Sequence, residues 1–174
     1  SARFVDRRIL VELGKAVWDS VTFVVTNSLT DEVIDRAVHC LPPSYYEKRG
    51  AWLSSALKSR RSQLKHASEL YYKHLSSYVD IHLSDDPEYV EVKRLDNLRV
   101  EVSVYQRKQE STTQRGMLVY HRLFDSDETK EVRICLHGGE NKAVVVGDVD
   151  ASLVVRIIGG EGNDELVDMS HVRG

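Results

Sequence analysis

An α+β fold is what this sequence predicts, because apolar residues recur at helical spacing as far as about Tyr78 and at a spacing of two beyond it. A third observation refines the class. Ala143–Val146 and Leu153–Ile158 are nearly continuous apolar runs separated by Gly-Asp turns, the pattern of strands covered on both faces. The expected organisation is a helical subdomain over 1–78 followed by a mostly antiparallel β domain over 79–174, ending in β-solenoid-like turns. A chain of 174 residues with 41% hydrophobic content is long enough and apolar enough to bury a core.

In the first half, Val33, Ile34, Ala37, Val38 and Leu41 fall on one face of a helix that Thr30 or Asp31 can cap. Pro42-Pro43 stops it, and Ser44-Tyr45-Tyr46-Glu47 has the capping-box order that starts another. Gly50 is expected to separate that short turn from a longer helix carrying Trp52, Leu53, Ala56, Leu57, Leu64, Ala67, Leu70, Tyr71, Leu75 and Tyr78. Four or five helices result.

In the second half, Val90 and Val92, then Val100, Val102 and Val104, then Val132, Ile134 and Leu136 alternate with polar residues as half-buried strands do. Asp96-Asn97 suits a tight hairpin between the first two, and Lys108–Gly116 suits a longer exposed loop.

Several function classes are disfavoured by composition. Net charge is −3 with both signs interspersed, so nothing attracts nucleic acid, and the basic run Lys58, Arg60, Arg61 and Lys65 reads as a solvated helix face. No apolar run approaches the roughly 20 residues that cross a bilayer. The nearest, Ala16–Val25, contains Asp19 and Ser20, so no membrane insertion by this chain is expected. Cys40 and Cys135 read as small buried hydrophobes, not as a disulfide framework. The opening Ser1-Ala2-Arg3-Phe4 lacks signal-peptide features and reads as the start of an excised module.

The most specific local pattern is Gly159-Gly160-Glu161-Gly162-Asn163-Asp164-Glu165-Leu166-Val167, which fits the calcium-binding nonapeptide position for position. Calcium takes six to eight oxygens, and in such repeats adjacent turns share them. Asp164, Glu161 and Asp148 are therefore the candidate calcium ligands, each a hard carboxylate donor. The turn that should partner them, His137-Gly138-Gly139-Glu140-Asn141, is followed by Lys142, where an acidic residue is wanted. The reading taken is a structural turn, with glycines permitting positive φ and Asp164 bonding to its own backbone and no cofactor, and calcium binding by a repeats-in-toxin type module at 159–167 is the alternative.

A further pattern, Asp80-Ile81-His82, Gly147-Asp148 and Gly162-Asn163-Asp164-Glu165, echoes the metal-binding blocks of calcineurin-like metallophosphoesterases. The echo fails at the ligands, since Ala151 stands where the second aspartate belongs and Asp164 where the histidine belongs. No nucleophile elbow, P-loop or dinucleotide fingerprint is present, so no catalytic residue is named and the chain is not expected to be an enzyme.

Taken in order, Arg3-Phe4-Val5-Asp6-Arg7-Arg8-Ile9-Leu10, Ser28-Leu29-Thr30-Asp31-Glu32-Val33-Ile34, Leu57-Lys58-Ser59-Arg60-Arg61, Tyr71-Tyr72, Val79-Asp80 and Ile157-Ile158-Gly159-Gly160 resemble one family segment. The chain is similar, over nearly its whole length, to the central region of large Gram-negative outer-membrane proteins. In these a calcineurin-like phosphoesterase is joined to a surface-antigen type β-barrel, whose relatives serve in outer-membrane protein assembly. The resemblance implies that both of those parts lie outside this chain, and that its setting is the periplasm or cell surface. It carries no catalytic residue over, and Lys142 departs from the acidic residue of the family's earlier Gly-Gly turn. The function expected is a non-catalytic structural or interaction module. It would link an upstream domain to a downstream membrane barrel, with other domains of the same polypeptide or a protein as partner.

Overall fold

The computed structural model describes residues 8–107 and 115–173, folded into three α-helices and eight strands in two sheets, so the protein is α+β. Arg3–Arg7 of the opening motif, and most of the expected Lys108–Gly116 loop, lie outside the described residues. The chain divides into two compact units, residues 15–73 and residues 1–14 with 74–174.

The helical unit holds α1 (Lys15–Ser28), α2 (Asp31–His39) and most of α3 (Pro43–Ser76). Thr30 caps α2: its backbone is extended, its hydroxyl accepts the Val33 N–H at 3.3 Å, and Asp31 and Glu32 complement the helix dipole in the first turn. Ile34 and Val38, one turn apart, are the buried residues of α2. Against α1, Ser68 of α3 accepts from the Trp18 indole at 2.8 Å and pairs with the Thr22 hydroxyl at 2.7 Å.

Three expectations change here. The third helix starts at Pro43, not Ser44, because the fixed φ of proline suits a first turn and the Pro42 carbonyl accepts from Tyr45 and Tyr46. The helix also runs straight through Gly50, which is buried. A Cβ there would come 2.7 Å from the Tyr46 ring, so this glycine provides room, not a break. Cys40 is exposed where α2 ends, so it is not a core residue. In the basic run, Lys58 pairs with Asp35 and Arg61 with Asp31, both at 2.8 Å. Such exposed pairs contribute up to about 1 kcal/mol each and chiefly fix how α2 lies on α3.

The β unit contains β1 (Tyr78–His82), β2 (Glu88–Arg94), β3 (Arg99–Arg107), β4 (Arg115–Asp125), β5 (Glu131–Cys135), β6 (Lys142–Val149), β7 (Val154–Ile158) and β8 (Glu165–Val172). One sheet has the order β1-β5-β7, the other β4-β3-β2-β6-β8. The β2–β3 and β3–β4 ladders are antiparallel, while β1–β5, β5–β7, β2–β6 and β6–β8 are parallel. The three-stranded sheet is thus wholly parallel and the five-stranded one mixed, instead of mostly antiparallel. Alternation of apolar and polar residues is the same in both kinds of ladder, so it could not tell them apart.

The chain visits the two sheets in turn, and the visits stack in register as three two-strand coils: β1 with β2, β5 with β6, and β7 with β8. Val132 lies beside Val155 and Ala143 beside Leu166, and the 23-residue separation also relates Asn141 to Asp164. Between the first and second coils the separation is 53, as for Glu88 and Asn141, because the β3–β4 hairpin is inserted after β2. The Asp96 carboxylate closes the β2–β3 turn by accepting from Leu98 and Arg99 N–H at 3.0 and 2.8 Å.

One core fills the space between the sheets. Val90, Val92, Val100, Val102, Val132, Ile134 and Ala143 are fully buried in it, and Phe124 is 1% exposed. Each such valine or isoleucine contributes about 1.5–3 kcal/mol relative to an exposed position. At the far end of β2, the Arg94 side chain reaches Ser152 Oγ at 2.6 Å and Ser170 Oγ at 3.3 Å. It passes the place where Gly147 has no side chain. A Cβ at Gly147 would lie 2.3 Å from Arg94 O, and its φ of +121° is one that glycine alone adopts without strain.

Candidate interaction site at the open end of the coil stack

The two ends of the stack differ. Beyond the first coil, β3 and β4 continue one sheet, and a 3-10 turn, Leu10–Glu12, packs beside β1 and β4. Val11 of that turn touches the core, and its carbonyl accepts from the Tyr120 hydroxyl and the Arg122 guanidinium. Burial raises the Tyr120 pKa, so the phenol stays a proton donor. This end is closed.

At the other end β7 and β8 terminate their sheets, and among the described residues no strand pairs beyond them. Val154 (49%), Ile158 (45%), Leu166 (54%), Met169 (58%) and Val172 (44%) are exposed there. Exposed edges are usually blunted by lysine, proline or a bulge. Neither Val154-Val155-Arg156-Ile157-Ile158 nor Glu165–Val172 contains lysine or proline; apart from Glu165, the charges along them are Arg156 and Asp168, and Asp168, beside Val145, accepts the Ser170 N–H at 2.8 Å.

The corners that carry the chain from one sheet to the other also stack. A polar side chain opens the second strand of each coil, at Glu88, Asn141 and Asp164, and adjacent members of this column are bonded. The Glu88 N–H donates to Asn141 Oδ1 at 3.0 Å, and the Asn141 N–H donates to Asp164 Oδ1 at 3.2 Å. Asn141 is fully buried, and its Nδ2 also donates to Leu136 O, Gly138 O and Asp164 Oδ1. The Glu88 carboxylate accepts from Ser84 N–H and Oγ. Burial pushes its pKa up, and the Ser84 bonds oppose that rise.

Glycines make the close stacking possible. A Cβ at Gly160 would fall 1.6 Å from His137 O, and one at Gly162, where φ is +130°, 2.0 Å from Gly139 O. His137 itself has φ +53°, and its Nε2 lies 2.8 Å from Nδ1 of His82, the last residue of the neighbouring strand β1. Burial chiefly, then Arg8 and His137, push the His82 pKa down.

The three carboxylates of the alternative calcium reading are not brought together. Asp164 accepts from Gly160 N–H at 3.1 Å as well as from Asn141, so both its oxygens are engaged within the stack. Glu161 is exposed at the corner. Asp148 pairs with His171, whereas Glu165, next to Asp164, pairs with Lys142. Six residues of strand, roughly 20 Å, therefore separate Asp148 from the turn. Lys142, out of place for a calcium site, makes a 2.8 Å ion pair with Glu165. Asp80 and His82 of the phosphoesterase echo are likewise apart from Asp148, at β1 against β6, and Asp80 is paired with Arg133 at 2.6 Å. Among the described residues no group of three or more His, Cys, Asp or Glu side chains is placed to hold a metal.

Asn141 is the residue that sequence reasoning passed over as a mere member of a Gly-Gly turn. The available signal was its place just before an apolar run, 23 positions ahead of Asp164 in the same place. Among the described residues no helix is long and apolar enough to cross a membrane. Compared with family models, with curated proteins and with solved structures, the chain matches none.

Proposed function

We propose that this chain is a non-catalytic structural and interaction module that works through the open end of its coil stack. The end formed by β7 and β8 carries this reading: at the opposite end Val11, Tyr120 and Phe124 cover the core, while here two parallel strand edges flank an apolar rim with Leu166 and Val172 exposed, interrupted by Arg156 and Asp168. Stacked-coil architectures need a polar cap at each terminus, and an end without one is built to be covered. Strand addition would satisfy the edge N–H and C=O groups and bury the apolar rim together. In the setting that the family resemblance implies, the module sits in the periplasm or at the cell surface of a larger envelope protein. There it links an upstream domain to a downstream membrane barrel, and the open end is where the neighbour attaches.

The test supplies a surrogate neighbour. Fusing a second copy of residues 128–150 after Arg173, in place of Gly174, continues the 23-residue repeat with a coil that already stacks in this protein. The reading predicts a higher Tm and slowed amide exchange at Val155 and Ile157. An added segment that leaves both unchanged overturns it. Hydrolysis of a generic phosphoester by the unmodified chain, lost in Asp80→Asn and Asp148→Asn, would overturn its non-catalytic part.

A further inference from the structure

We infer that the open end is selective for a coil carrying a hydrogen-bond-accepting side chain, asparagine or aspartate, 23 positions beyond Asp164. This rests on the open end being a docking surface and adds the chemistry of the occupant. The column Glu88, Asn141, Asp164 repeats one interaction twice: the backbone N–H of each member donates to a side-chain oxygen of the next. Continuing the column by one coil puts the Asp164 N–H opposite the same position of the occupant. An alanine or leucine there leaves that N–H without its partner once the added coil has excluded water, and an unsatisfied buried donor is costly.

Two further features narrow the occupant. Where the second and third coils meet, the approaching corner has glycine over His137 O and Gly139 O, so a coil seated as closely needs glycine or an open turn at those places. Beside the column, Lys142 of the second coil bonds to Glu165 of the third, and a cation in the occupant continues that alternation of charge. The occupant is thus a parallel strand pair with a polar corner and an apolar inner face to cover Val155, Ile157 and Leu166. A second copy of this chain cannot supply it by stacking in the same sense, because the outer edge of its β2 is already taken by β3.

The fused chain described above, carrying glycine in place of the copied His137 so that its corner can seat over Gly160, separates these possibilities, since the copy of Asn141 falls at the required position. It is compared with a version in which that copied asparagine is alanine, reading Tm and the exchange rate of the Asp164 amide. With asparagine, exchange at Asp164 should slow about tenfold relative to alanine, and Tm should be higher. If both versions stack, slow Val155 and Ile157 alike and protect Asp164 equally, the selectivity is wrong and the docking surface survives. If neither stacks, both fall. Sedimentation of the unextended chain as a dimer, with Val155 and Ile157 already protected, would make a second copy the occupant and overturn the inference.

Discussion

Asn141 gives both its backbone N–H and its side-chain amide to one carboxylate oxygen of Asp164, each at 3.2 Å. That relationship holds the second and third coils in register at the corner where the chain changes sheet. It turns a residue that sequence patterns nominate for calcium into an acceptor for the protein's own backbone.

The first prediction concerns the buried partner. Asn141→Ala removes the acceptor for Glu88 N–H and leaves Leu136 O and Gly138 O without their donor in a fully buried place. A loss of about 3 kcal/mol is expected in urea denaturation, from roughly 1–3 kcal/mol for each orphaned group. A loss under 0.5 kcal/mol would show that the corner column does not hold the coils.

Glycine substitutions should sort by what a Cβ would meet. Gly147→Ala and Gly162→Ala meet backbone carbonyls at 2.3 and 2.0 Å and have positive φ, so each should cost about 2 kcal/mol or more. Gly159→Ala meets only the Asp164 Oδ2 at 3.4 Å and should cost less than about 1 kcal/mol. Thermal melts of the three variants check the order, and equal effects would refute it.

A third prediction is a pH dependence. Burial, Arg8 and His137 hold the His82 pKa below its ordinary value of 6.5, so the unfolded chain takes up a proton more readily than the folded one. This part of the stability is present above about pH 6.5 and is lost as pH falls below it. His82→Phe keeps a flat ring beside His137 and should remove part of the fall in Tm between pH 7 and 5. An unchanged pH profile would mean that His82 does not contribute.

Calcium gives a fourth. With both Asp164 oxygens engaged and Asp148 six residues of strand away, millimolar calcium should leave Tm unchanged. A ligand that binds only the folded chain raises Tm, so a clear rise would restore the calcium reading.

The α+β class was legible because helical and alternating periods are local properties. Thr30 capping α2 and Asp96 closing the β2–β3 turn were legible for the same reason. Ladder direction was not, since Val90 has an antiparallel neighbour at Val104 and a parallel one at Ala143, and one alternating pattern serves both. The 53-residue step to the second coil hid the repeat, because the β3–β4 hairpin interrupts a 23-residue spacing that otherwise appears just once. Gly50 misled because a glycine making room for Tyr46 and a glycine ending a helix look alike in sequence.

The most direct measurement is residue-resolved amide exchange on the unextended chain. Val154 N–H donates to Lys130 O, Glu165 N–H to Asn141 O and Arg173 N–H to Val149 O, so alternate amides of β7 and β8 face inward along the stack. If the third coil is formed and its outer edges are open, Val154, Arg156, Glu165 and Val167 exchange slowly while Val155, Ile157, Leu166 and Asp168 exchange fast. Uniform protection along both strands would mean that the end is already covered, and uniformly fast exchange that the third coil is not formed. Either result would contradict the account.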